Sequence, residues 1–342
     1  MFAFSRRQAL KIAAASPFWF QDNSLIDQPQ YQTSGGSIEF HCTDDYPARW
    51  KKIYQNTIAH FSKRWGRVGP THIFLIENQD WPSREKREGD PQRLKESQQN
   101  LKQVFCKLQG HGLQGKDLDW TTGKHWMSWS NRPANLMITM TMSPYQDPMQ
   151  FVLGPIHEYN HAIQTANGYG QEAIDGNQMG HALWTGPAWW REGSSVMVAA
   201  LYSYQHPELF EPVGQAFTWG RFSGELNRNL ELFQKAKTPL RDGVTHDDWQ
   251  RLEQEDLVHP VVYAGGSVAC AMLLKQAGSL EAFMNIYTQI PKVGWEAAFE
   301  QTFQVKLNSF YRAFEATAAA IRPTRRSEPL EDNEFAFLKT LS

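Results

Sequence analysis

The residues His157-Glu158-Tyr159-Asn160-His161 constrain this chain more than any other stretch. On a helix, positions four apart share a face, so both imidazoles can reach one ion while Glu158 stands beside the first. A carboxylate in that place can accept a proton from a metal-bound water. Two histidines leave a catalytic zinc site one protein ligand short, with the fourth position kept open for that water. The run Trp189-Trp190-Arg191-Glu192-Gly193 offers Glu192 as the third ligand, because its aromatic-rich pattern reads as the start of a second helix. Apolar Phe151, Val152, Leu153 and Ile156 precede the first motif and mark its helix as buried.

The pair of motifs, H-E-x-x-H and Trp-x-x-Glu-Gly, resembles the gluzincin branch of the zincin metallopeptidases, the group holding thermolysin and aminopeptidase N. The nearer likeness is to bacterial families with an aminopeptidase-like catalytic core and no recognition domain, over about residues 40 to 320. The resemblance implies an α+β, zincin-like fold: a small mixed sheet with the active-site helix, then a mainly helical C-terminal subdomain. Residues 31–166 would form the first part and 167–322 the second, with 1–30 a signal and linker and 323–342 a tail. It also implies one Zn2+ per chain on His157, His161 and Glu192, Glu158 as general base, and a peptide or protein substrate. Tyr263 with Gly266 three residues later resembles the aminopeptidase tyrosine motif, whose phenol hydrogen-bonds the tetrahedral intermediate; His246 and His259 are rival donors. Phe299 to Phe314 resembles the closing segment of these families, with Gln304 where a glycine is common.

Several departures shape the substrate class. Thirty residues separate His161 from Glu192, more than the family usually has, so 167–186 reads as an inserted loop. Glu172, Asp175 and His181 lie in it and are rival third ligands. The metzincin pattern is excluded, because Gln164 and Asn167 stand where its glycine and third histidine belong. Val196 replaces the acid that follows the glutamate ligand in thermolysin, so another group must orient a zinc histidine. The G-x-M-E-N motif that holds a free N-terminus is absent, which favours endopeptidase action. Two other functions fit the same residues: a zincin-like binding protein without turnover, and a zinc amidase acting on cell-wall or other amides. An intact Glu158 weighs against the first, since zinc binding alone does not need it.

Lys and Arg total 34 against 36 Asp and Glu, a balance that argues against nucleic acid as a partner. Ser5-Arg6-Arg7-Gln8-Ala9-Leu10-Lys11 resembles a twin-arginine export signal and implies a periplasmic or secreted protein; a cytoplasmic one is the alternative. Cys42, Cys106 and Cys270 form neither a disulfide framework nor a zinc ribbon. No unbroken apolar run reaches the length of a membrane span, so stable membrane insertion is not expected.

Locally, Ser37–Cys42, Thr71–Ile76 and Leu136–Thr141 read as strands, the last as the cleft edge that could pair with an extended peptide. Asp44 or Asp45 is placed to cap a helix carrying Tyr46, Trp50, Ile53, Tyr54, Phe61 and Trp65. Gly154-Pro155 predicts a kink or fresh start before His157, and Pro260 a helix start.

Overall fold

The computed structural model describes residues 37–44, 46–68, 71–75, parts of 92–104, 125–131, 134–140, 148–168, 186–243, 246–322 and 335–341. The twin-arginine stretch, Cys106 and the rival ligands Glu172, Asp175 and His181 lie outside these residues. The chain is mostly helical with one small mixed sheet, an α+β arrangement. Strands β1 (Ile38–Cys42), β2 (Thr71–Leu75), β3 (His125–Asn131) and β4 (Ala134–Met140) lie in the order β1-β2-β4-β3. The β1–β2 and β2–β4 pairs are parallel, with Ile38 opposite Thr71 and Thr71 opposite Leu136; β3 runs antiparallel to β4. Every residue of β2 is buried, as expected of a strand with parallel neighbours on both sides.

Three local expectations are corrected. β4 is not the sheet edge, because β3, which no pattern in the sequence announced, pairs along its far side. The first helix, α1 (Ala48–Trp65), starts after an extended Pro47 rather than at an aspartate cap, and the Asp44 N–H donates instead to Ser97 Oγ at 3.1 Å. The motif helix α2 (Gln150–Gly168) passes through Pro155 without a break. A proline early in a helix forfeits a single backbone bond, here to the Phe151 carbonyl, and Gly154 presents no side chain against the ring.

After α3 (Ala188–Gln205) comes a 3-10 segment, Pro207–Val213, then α4 (Trp219–Ala236) and α5 (His246–Gln254). A π-helical segment, Val258–Gly265, leads directly into α6 (Gly266–Ala277), so this helix begins two residues before Pro260. Val258–Ala277 is long and apolar enough to cross a membrane, but 67% of it is buried in the protein, which accounts for its composition. Short helices α7 (Leu280–Met284), α8 (Ile286–Val293) and α9 (Trp295–Phe303) precede α10 (Leu307–Ala320). One continuous core runs from Tyr46 on the α1 side to Phe335 and Leu338, which return from the C-terminal segment to pack on it. Cys42 is half-buried, Cys270 is buried, and both are free thiols.

Candidate metal centre

Helix α2 is fixed from both sides. Tyr159, wholly buried, accepts from the Val68 N–H at 3.1 Å and donates to the Gly66 carbonyl at 3.3 Å, tying α2 to the chain that leaves α1. Helix α3 is anchored by Trp189 and Trp190, both fully buried among Phe283, Trp295, Phe299, Phe303 and Phe310. Trp189 Nε1 donates to Tyr311 O–H at 3.0 Å. With its two tryptophans pointing into the core, α3 turns Glu192 toward α2.

Glu192 meets His157 and His161 there. His157 Nε2 and His161 Nε2 are 3.0 Å apart, and Glu192 Oε2 lies 3.5 and 3.3 Å from them. Ligands at zinc–nitrogen and zinc–oxygen distances of about 2.0–2.1 Å in a tetrahedron stand roughly 3.3–3.4 Å from one another. The three donor atoms therefore fit a zinc ion in type, number and mutual spacing. Burial by itself would lower the His161 imidazole, but the Glu192 carboxylate outweighs it and pushes the group up to about 9. Glu192 shifts the other way: burial raises it, while His161 and His157 together hold it well below the usual carboxylate range. A cation belongs between these groups, whether proton or metal.

The group that orients His161 is Gln164. Its Nε2 lies 2.9 Å from the Arg191 carbonyl oxygen, which can only accept, so the amide nitrogen must face that way. Oε1 then faces His161 Nδ1 at 2.9 Å, and because this oxygen cannot donate, Nδ1 must carry the hydrogen. The neutral ring is thereby left with its lone pair on Nε2, toward the ligand site. Ser194 and Ser195 hydroxyls at 2.9 and 3.2 Å and the Tyr287 hydroxyl at 3.3 Å surround the same amide. Asn160 Nδ2 donates to Ser195 Oγ at 2.9 Å and extends the network back into α2. Gln164 thus answers the question that Val196 raised, in a residue whose only sequence signal was the exclusion of another metal motif.

Glu158 is 4% exposed, and burial raises its carboxyl, a trend that His157 and His161 oppose and Glu192 reinforces. The Tyr54 hydroxyl, buried without a hydrogen-bond partner among the described residues, lies within electrostatic reach of it. Tyr263, in the π-helical segment, hydrogen-bonds Glu192 through its phenol, and burial raises its pKa first, with the Glu192 and Glu158 charges adding to the shift. The exposed His259 stacks on the Tyr263 ring at 6.1 Å, and among the described residues no contact brings it to His157, His161 or Glu192. The His246 side chain lies outside the described residues. Arg191, also missed in the sequence, sits in the electrostatic field of Glu192 and Tyr263, and its Nε has no hydrogen-bond partner among the described residues.

The two glycines of the motifs explain why Tyr263 arrives beside Glu192. A Cβ on Gly193 would run into the backbone of Gly266, and one on Gly266 into the Trp189 carbonyl. Backbones can come this close only where neither residue has a side chain. Glu192 and Tyr263, neighbours of this contact in their segments, are brought together by it.

Among the described residues, two other places gather a carboxylate and two imidazoles: Glu39, His41 and His72 on β1 and β2, and His60, His206 and Glu208 where α1 meets the end of α3. The chain matches no protein-family model, no curated protein and no solved structure, so what this cluster could do is read from its own geometry.

Proposed function

We propose that the chain is a zinc-dependent metallopeptidase of gluzincin type that cuts peptide bonds within a chain. The observation that carries this reading is the convergence of His157, His161 and Glu192 at ligand spacing, with the buried acid Glu158 next to the first of them. Zinc held there would supply an activated water and polarise the scissile carbonyl. Glu158 accepts the proton from that water and hands it to the leaving nitrogen. Its burial raises the carboxyl's proton affinity, which suits a group that must both take and return a proton. Gln164 holds the His161 ring in the tautomer that a metal ligand needs. Tyr263 donates its O–H to the charge developing on the carbonyl oxygen, from its position at the Glu192 carboxylate. The buried motif helix, the mixed sheet and the helical remainder also support a zincin-like fold.

A peptide-library digestion with the zinc-loaded protein tests the proposal. Glu158→Gln should keep its zinc and lose activity by about 10²–10⁴-fold. Tyr263→Phe should lower kcat by about 10²–10³-fold with little change in KM and full zinc content. A Tyr263→Phe enzyme of normal kcat and weakened zinc affinity would instead make the tyrosine a support for Glu192. Wild type and Glu158→Gln equally inert on every peptide and amide would overturn the peptidase and favour a binding protein.

A further inference from the structure

The group at the far end of α3 repeats the donor set of the first centre. His206 caps the C-terminal end of α3, and Glu208 is the second residue of the 3-10 segment that follows. Pro207 between them fixes the backbone, so the pair's spacing is preset. His206 Nδ1 lies 3.0 Å from Glu208 Oε1, and His60 Nε2 reaches the same oxygen from α1 at 3.5 Å. These two imidazole–carboxylate separations are close to the 3.3 and 3.5 Å at which Glu192 stands from His161 and His157, and a tetrahedral ion asks for about 3.3 Å. The His60 and His206 rings meet edge to face with centroids 4.7 Å apart.

The second nitrogen of His60 is also provided for. The Tyr202 hydroxyl lies 2.9 Å from His60 Nδ1 and 3.4 Å from the His60 carbonyl. A carbonyl can only accept, so both bonds form at once only if Nδ1–H donates to the phenol oxygen and the phenol donates onward. In that tautomer Nε2 carries a bare lone pair aimed at a carboxylate, an arrangement that calls for a cation between them. The C-terminal end of α3 adds its own partial negative charge at the same place. The Glu39–His41–His72 group lacks this: Glu39 stands back at 3.6 and 3.9 Å, and among the described residues no hydroxyl bonds either ring.

We propose that His60, His206 and Glu208 bind a second divalent transition-metal ion, which clamps α1 to the C-terminal end of α3. Two imidazoles and one carboxylate suit Zn2+, Ni2+ or Cu2+ and not Ca2+ or Mg2+. The side chains are 36%, 33% and 51% exposed, so the site opens to solvent and exchanges its ion more readily than the inner centre. The site does not depend on the peptidase reading. Glu192 and His206 are fourteen residues apart on α3, about 21 Å at the helical rise, so neither ion touches the other's ligands.

The test is zinc titration of the full-length, metal-stripped protein by calorimetry, with elemental analysis after gel filtration. Wild type should take up one equivalent more than His206→Ala and more than Glu208→Gln. Circular dichroism checks that each variant folds; Glu208 is exposed enough that its variant should. In a His157→Ala/His161→Ala background, Zn2+ but not Mg2+ should still raise the melting temperature by a few degrees, and His206→Ala should abolish the rise. If that background does not fold, the comparison with the single variants decides alone. Equal zinc uptake by wild type, His206→Ala and Glu208→Gln would overturn the proposal, since any further ion would then lie elsewhere.

Discussion

Gln164 shows how much one amide can determine. It reads the Arg191 carbonyl with its nitrogen and fixes the proton of His161 with its oxygen. Gln164→Ala removes that constraint without touching a ligand. Groups that orient metal-binding histidines typically contribute about 10–100-fold in metal affinity, so zinc affinity should fall by that factor while the fold persists. Competition with a chelator of known strength measures it. The second expectation at this scale concerns protons. In the metal-stripped protein the Glu192 carboxylate, outweighing burial, pushes the His161 imidazole up to about 9 from an ordinary value of about 6.5, so the His161 side of the pair contributes in full once pH is below about 6.5. That contribution is lost as pH rises through 9. Glu192 is depressed, so its share is present above about pH 4.5 and disappears on acidification below it. Urea midpoints of the EDTA-treated protein should therefore decline from pH 6.5 to 9.5, and His161→Gln should flatten the decline. The meeting of His157, His161 and Glu192 beside Glu158 was legible because residue type and helical spacing point to it. The places of Gln164, Tyr54 and Arg191 beside them were not, because each depends on neighbours that the fold brings from other elements.

At the scale of elements, the sequence was most legible where periodicity and burial agree. The apolar face of α1, with Ile53, Tyr54, Ile58, Phe61 and Trp65 buried, follows directly from its spacing. It was least legible where a sheet neighbour decides the outcome. β4 could not reveal that β3 covers its edge, because that is a property of a pairing and not of either strand. Pro155 is a local breaker whose effect the packing of α2 on both sides of it overrides, and that packing is not visible in the local sequence. The junction of α9 and α10 yields a prediction from such a local conflict. Gln304 ends α9 in the left-handed region, at φ 51°, where a glycine would be unstrained. Left-handed backbone costs an L-residue about 1–2 kcal/mol, and glycine gives back about 0.5–1 kcal/mol in unfolded-chain entropy. Gln304→Gly should thus stabilise the protein by about 0.5–1 kcal/mol, read as a higher denaturant midpoint at constant slope.

For the molecule as a whole, the proportions were readable: a small sheet early and helices to the end. The C-terminal segment was expected as a tail, yet Phe335 and Leu338 are buried and Gln205 Nε2 donates to the Leu341 carbonyl at 2.8 Å. Phe335, Phe337, Leu338 and Leu341 stand in a stretch too short for its spacing to announce a packed element, so only the folded chain reveals them. Export is the remaining question at this scale. If Arg6 and Arg7 are read as a twin-arginine signal, replacing both with Lys should hold the protein in the cytoplasm, as fractionation and immunoblotting would show. Continued export of that variant would point to another route.

The contact between Gly193 and Gly266 bears on how this protein can vary. Where helices meet through side chains, a change on one can be absorbed by a change on the other, and the distance between them drifts. Here the backbones themselves touch, and nothing in the contact can be exchanged for something of another size. The aromatic core around Trp190 can therefore be rebuilt in many ways while Glu192 and Tyr263 keep their spacing. Divergence in this chain has wide freedom in the residues that stabilise it and almost none in two that carry no chemistry, because those two act as the ruler against which the site is set.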